Sequence, residues 1–444
     1  MPAPELSQIL RRAQAEQRAP SASAAVVRGG EVVWAEAVGL ADVEAGREAT
    51  PETQYPIASI TKSFVAASVM QLRDAGVLEL DDPLDRHLPE SPSTASLRRL
   101  LAHLGGLQRE VPGDRVWETL EFPTRDELLA RLGDVSVVLE PGLAWHYSNL
   151  AFVLLGEVVA RRAGVPFEDY VRARLLEPLG LERTTWGSEE PAARGYLVHP
   201  FADSVMPEPV TDRGGTGAAG GLWSTPSDLV RWGSFLVEPD PAVLAASSAA
   251  EMRTLQTMAE PQRWTLGWGL GLVLYRAGER VLVGHDGGAI GGVSVLAVEP
   301  EQRVGAAVVA NTTSGFSVQR LAFELVDAAI EGASPAAWRP AGPPPPEITP
   351  VLGRWWSEGT EFVFSWREGR LEARLAGSPE WREPAVFEPA GEDRFRTVSG
   401  RERGEWLELV REPDGSVAKL YWATYPFTRD PRPFGSSAAD GPPV

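Results

Sequence analysis

The chain has no cysteine among its 444 residues, which excludes disulfides, thiolate metal sites and a cysteine nucleophile. Lysine is almost absent as well: Lys62 and Lys419 stand against forty arginines. Positive charge is in deficit overall, with a formal net charge of −19, so neither nucleic acid nor an anionic membrane surface is an expected partner. Long hydrophobic runs are missing. The most apolar stretch, LAFVLLG from Leu150, breaks at Glu157 and falls short of the ~20 residues that cross a bilayer. The opening MPAPELSQILRRAQAEQR has no apolar segment of the kind a secretory signal carries, so a cytoplasmic location is expected. His87, His103, His146, His199 and His285 form no ligand-spaced cluster, and no metal or organic cofactor is implied.

What is present suffices for folded domains. Hydrophobic residues make up 43% of the chain, and its length suits two domains of unequal size. Leu6, Ile9, Leu10 and Ala13 share one face of a short amphipathic helix that stops before Pro20. Ala22–Arg28 and Glu31–Val38 flank Gly29-Gly30 as a tight hairpin. Ser59–Arg73 reads as a buried helix closed by Gly76, and helical patterns dominate from Pro83 to Gly187, including Leu150–Ala163 ending at Gly164. Strand character returns in Gly267–Tyr275, Arg280–Gly284, Gly292–Val298 and Val304–Ala310, followed by a helix over Val318–Ile330. Strands at both ends with helices between them predict an antiparallel sheet built by both ends of the domain, an α+β arrangement.

The expected organisation is a larger α+β domain over 1–337, a proline-rich spacer over 338–350, a small all-β domain over 351–430 and a frayed tail over 431–444. Within 351–430, alternating segments such as EFVFSWREG and EWLELVREPDG recur near ten-residue spacing, the pattern of a meander or barrel. Its tryptophans read as core and cover.

Chemistry concentrates in three short segments. In Ser59-Ile60-Thr61-Lys62, positions i and i+3 share a helix face, so hydroxyl and amine can meet. A serine hydroxyl is a weak nucleophile until a base takes its proton. Lysine does so only as the neutral amine, whereas arginine stays protonated. A lysine kept here, in a chain that otherwise uses arginine, is therefore informative. The second segment, Tyr147-Ser148-Asn149, opens the helix from Leu150. There a phenol is placed to shuttle a proton and the Asn149 amide to bond a substrate carbonyl, unless Ser148 or Asn149 only caps the helix. The third, His285-Asp286-Gly287-Gly288, follows a predicted strand, where glycines permit close approach of backbone donors to a ligand.

S-x-x-K, Y-x-N and H-x-G in this order resemble the serine β-lactamase and penicillin-binding-protein-like superfamily, which includes class C β-lactamases, D-Ala-D-Ala carboxypeptidases, D-aminopeptidases and esterases. The resemblance covers roughly residues 5–330 and extends to LLAHLGGL, EPGLAWHYSNLAFVLLGEVVARRAG, LEPLGLERT and GGLWSTPSDLVRW. It implies acylation of Ser59, with Lys62 and Tyr147 deprotonating it and Tyr147 protonating the leaving group and helping to activate the deacylating water. It also implies that Asn149 orients the acyl side and that the backbone N–H groups of Ser59 and Gly288 form an oxyanion hole. His285 would stand where the family commonly has lysine, as a softer, titratable charge.

The third segment also bears on substrate. Asp286 would repel a substrate carboxylate unless it points away from the cleft, which weighs against β-lactams and carboxypeptidase substrates. The readings kept are an esterase on small acyl esters and an amidase or aminopeptidase for D-residues, with Asp286 holding an ammonium. A β-lactamase or carboxypeptidase, and a binding or scaffold homologue without catalysis, are the alternatives. The expected partner is a small ester, amide or peptide. The C-terminal domain, which resembles the lipocalin-like barrel of some family peptidases, is a candidate for gating the cleft or for oligomerisation.

Overall fold

The computed structural model describes residues 3–113, 116–331, 344–357, 359–367, 369–378 and 383–431. The chain divides into two compact units, Met1–Ser334 and Pro335–Val444. Residues 338–343 of the expected spacer and 432–444 of the expected tail lie outside the described residues.

The first unit is built on a nine-stranded antiparallel sheet. Its strands are β1 (Ser21–Arg28), β2 (Glu31–Asp42), β3 (Arg47–Glu48), β4 (Thr257–Met258), β5 (Leu266–Trp268), β6 (Val273–Ala277), β7 (Arg280–Ala289), β8 (Gly292–Glu299) and β9 (Val304–Ala310). They lie in the order β3-β2-β1-β9-β8-β7-β6-β5-β4, so the N-terminal hairpin pairs with the last strand. Gly29 and Gly30, at φ of +56° and +89°, make the two-residue turn between β1 and β2 that only left-handed backbone allows.

Helices cover both faces. On one, α1 (Ala3–Glu16) buries Leu6, Leu10 and Ala13 against Ala22, Ala24 and Val26 of β1 and against the C-terminal helix of the unit, Val318–Glu331. On the other, α2 (Thr61–Asp74) and α3 (Asn149–Ala163) form the centre of the larger core. Ser148 caps α3 by accepting the Ala151 N–H at 3.0 Å, and Gly164, at φ +72°, closes it. Glu157, which breaks the apolar run of α3, is buried, but Arg125 and Arg161 both reach its carboxylate at 2.7–2.8 Å. Among the described residues no helix is long and apolar enough to cross a membrane.

Two sequence expectations change here. The run Gly267–Tyr275 is two strands, because Gly269–Leu272 leaves the sheet to pack on α2: a Cβ at Gly271 would lie 2.4 Å from that of Ala66. The end of the expected spacer is not extended, since Ile348 and Val351 are buried in the second unit around a 3-10 turn at Thr349–Val351.

In the second unit, eight strands from Gly353–Ser357 to Tyr425–Phe427 pair antiparallel in chain order. The first and last sides meet where Trp356 and Thr428 exchange backbone hydrogen bonds of 2.8 and 3.0 Å, giving a nearly closed barrel. Trp355, Phe364, Phe387, Leu407 and Leu420 fill it.

Candidate active site

Ser59 lies in a 3-10 turn, Ala58–Ile60, that runs directly into α2. Ala58, the residue before it, is held at φ +45°, an unusual conformation for a residue with a Cβ. Neighbouring contacts impose it. Ser294 of β8 donates to the Ile57 carbonyl at 2.9 Å, and the Ile57 N–H reaches the Leu222 carbonyl at 3.0 Å. Gly287 of β7 packs so closely that a Cβ there would sit 2.2 Å from the Ile57 oxygen. Gly220 covers Ala58 from the other side. The nucleophile candidate is thus presented by a strained turn clamped between β7 and a glycine-rich segment.

The Lys62 amine lies 2.9 Å from Ser59 Oγ, and it donates to the Ala219 carbonyl at 2.6 Å. The side chain is completely buried, and burial pushes its pKa well below the ordinary lysine value. The Arg213 and Arg109 cations push it further in that direction, and Glu110 and Asp286 oppose them. The Tyr147 hydroxyl donates to the same Ser59 Oγ at 2.9 Å. Burial raises the Tyr147 pKa, so the phenol is protonated at neutral pH. One oxygen is therefore shared by a desolvated amine able to accept a proton and a phenol able to give one.

Tyr147 is held by a residue that motif spacing did not single out. His103 is buried, and its ring stacks on Tyr147 with 4.2 Å between centroids. His103 Nδ1 accepts the Ser148 N–H at 3.0 Å, and its carbonyl accepts the His146 N–H at 2.8 Å. Trp268 and Trp145 complete this aromatic wall. Burial, with the Lys62 charge next in weight, pushes the His103 pKa well below its usual range.

Asn149 is the first residue of α3, and its Nδ2 donates to Glu110 Oε1 at 2.8 Å. The acid beside the second motif is therefore Glu110, which the sequence reading did not identify.

The third motif departs from expectation in three ways. His285 to Gly288 lie inside β7, which continues to Ala289, and not in a turn after a strand. His285 is buried, and burial pushes its pKa down to about 4, with Lys62 acting in the same direction and Asp286 opposing. The expected titratable cation is therefore neutral at pH 7, and Nδ1 is engaged by the Asp286 carbonyl at 2.6 Å. Asp286 alternates to the opposite sheet face, where its carboxylate accepts the Tyr275 hydroxyl at 3.0 Å. Asp286 nonetheless stays exposed, and its charge acts on both Lys62 and Tyr147. Gly287 is the glycine that needs to be one, whereas a Cβ at Gly288 would meet open space. β6 pairs with β7 only as far as Gly284. From His285 to Ala289, no described strand occupies the edge of β7 away from β8.

A serine in a strained turn, a buried lysine one helical turn later, a tyrosine donor and an open strand edge meet at one site. The chain belongs to the Beta-lactamase family, whose model matches residues 6–330, within the serine β-lactamase and penicillin-binding-protein superfamily. Residues 344–429 match a domain of unknown function, DUF7586. Among curated relatives, the chain is 36% identical over 231 residues to esterase EstB of Burkholderia gladioli, covering 48% of this chain and 58% of that protein. Across the first three such relatives the chain spans only 48–60% of their length.

Among solved structures, it resembles the octameric penicillin-binding protein homologue from Pyrococcus abyssi, with a TM-score of 0.66 and 27% identity, over 97% of this chain and all of that one. It also resembles the D-amino acid amidase from Ochrobactrum anthropi SV3 in complex with L-phenylalanine amide. There the TM-score is 0.63 at 27% identity, over 74% of this chain and 100% of that one.

Proposed function

We propose that the chain hydrolyses small esters or amides of D-amino acids through an acyl-enzyme on Ser59. The observation that carries this reading is the convergence of Lys62 and Tyr147 on Ser59 Oγ, each at 2.9 Å. In the proposed cycle, neutral Lys62 takes the Ser59 proton as Oγ attacks the substrate carbonyl. The backbone N–H groups of Ser59 and Gly288, the latter on the open edge of β7, hold the resulting oxyanion. Tyr147 gives its proton to the leaving group and recovers one from Lys62, and the same pair activates the water that releases the acyl group.

Esterase and amidase share this chemistry and differ in what binds beside it. Likeness to EstB supports the ester reading. The D-amino acid amidase likeness and the Glu110 carboxylate beside Asn149, placed to receive a substrate ammonium, support the amide reading. Turnover of p-nitrophenyl acetate, D-alanine p-nitroanilide and a chromogenic cephalosporin, with Ser59→Ala as control, tests the proposal. Ester or D-anilide turnover that vanishes in Ser59→Ala is expected. Cephalosporin turnover rivalling both would replace it with a β-lactamase reading.

A further inference from the structure

Arg213 begins the 3-10 segment Gly214–Ala219, and Thr216 fixes its carbonyl with N–H and hydroxyl hydrogen bonds of 2.9 and 2.6 Å. Its half-buried guanidinium lies over the rings of Phe122 and Trp117, 4.4 and 5.1 Å from their centroids. Those rings orient the group and accept none of its N–H bonds conventionally. Among the described residues, the guanidinium makes no hydrogen bond and no ion pair, and its Nε is buried without a partner. Arg125 and Arg161, by contrast, are both engaged by carboxylates. Glu110 lines the same hollow and its charge bears on Arg213, but the two form no ion pair; its Oε1 is engaged by Asn149 at 2.8 Å and Arg109 at 3.5 Å, which leaves Oε2 open.

The position gives this free cation a use. Arg213 lines one hollow with Asn149, Glu110 and Ala219, and an adjoining one with Gly220 and Ala289. Ala219 is the residue whose carbonyl holds Lys62, and Ala289 ends the open edge of β7. We propose that Arg213 is a specificity subsite for a carboxylate carried on the acyl part of the substrate. A planar fork with its donors unused matches a carboxylate in charge and shape. The inference rests on the reading of Ser59 as the acylated nucleophile.

Two matched comparisons test it. One measures kcat/KM for monomethyl esters of dicarboxylic acids, from succinate to suberate, against methyl esters of monocarboxylic acids of equal length. The other compares the α-p-nitroanilides of D-glutamate and D-glutamine. The wild type is expected to favour the charged member at one chain length or in the anilide pair by about 10- to 100-fold. Arg213→Gln is expected to abolish the ratio and Arg213→Lys to keep part of it. Using the ratio cancels any effect of Arg213 on Lys62, which acts on both members alike.

A wild type indifferent to charge in both comparisons overturns the inference, as does an Arg213→Gln enzyme that still reacts with a fluorophosphonate and keeps the ratio. Should Arg213→Gln not fold, the wild-type preference and the Arg213→Lys ratio decide. Absence of both turnover and fluorophosphonate reaction in the wild type refutes the underlying hydrolase proposal, and this inference with it. Turnover without charge preference refutes the inference alone.

Discussion

Replacing Lys62 with arginine or methionine separates its charge from its basicity. Arginine keeps a cation and cannot accept the Ser59 proton, and methionine removes both functions. Among the described residues, only Lys62 and Tyr147 reach Ser59 Oγ, and the Tyr147 phenol is held protonated by burial. No second base is on hand, so both variants should lose the general-base contribution, about 10²–10⁴-fold in kcat/KM, or roughly 3–5 kcal/mol of transition-state stabilisation. Initial rates on p-nitrophenyl acetate at pH 7 measure this.

Stability gives an independent readout. The folded-state pKa of Lys62 is depressed below its unfolded value of about 10.4, so between the two the unfolded chain binds a proton that the native chain does not. Wild-type stability therefore rises with pH through that window and levels off above the unfolded pKa. Lys62→Met should lose this slope, so its denaturant-measured stability gains on the wild type as pH falls from 10 to 6. Lys62→Arg activity within tenfold of wild type, or parallel pH–stability curves for Lys62→Met and wild type, would refute the reasoning.

Two further substitutions address the supports of the site. Ser294→Ala removes one of two hydrogen bonds to the Ile57 carbonyl, leaving the Ile60 N–H at 3.2 Å, a cost of about 0.5–1.5 kcal/mol, and Gly287→Ala forces a Cβ onto the same oxygen. Both should lower Tm and slow the reaction of Ser59 with a fluorophosphonate, and an unchanged labelling rate in a destabilised Gly287→Ala would show that the clamp does not position Ser59. His103→Ala removes the stacking surface under Tyr147 and the acceptor for Ser148 N–H. It should cost about 2–4 kcal/mol of stability and lower kcat more than it raises KM. Wild-type kcat in that variant would relegate His103 to packing.

Much of this architecture was legible in the chain because local patterns and global fold agree. Gly29-Gly30, Gly76 and Gly164 each sit at the positive φ their neighbours imply, and Ser148 caps α3. The i, i+3 spacing alone puts Lys62 beside Ser59, where its amine lies 2.9 Å from Oγ. What escaped depends on contacts distant in sequence. The strain at Ala58 comes from Gly287, Ser294 and Gly220, none of them near it in the chain. His103 read as one histidine among five, although LLAHLGGL had stood out as a segment. Its role follows only from the ring it supports. The Tyr275 contact of Asp286 was not legible because the strand runs on to Ala289. Strict alternation then sends it to the face opposite His285. Arg213 was invisible among forty arginines, since its place beside Asn149 and Ala219 follows only from the fold.

The central claim is that Ser59 is the acylated nucleophile, and intact-protein mass spectrometry after brief exposure to a fluorophosphonate tests it most directly. One adduct per chain, mapped by peptide sequencing to Ser59, absent from Ser59→Ala and strongly slowed in Lys62→Arg, is the predicted result. An unmodified wild type, or an adduct that persists in Ser59→Ala, would contradict it.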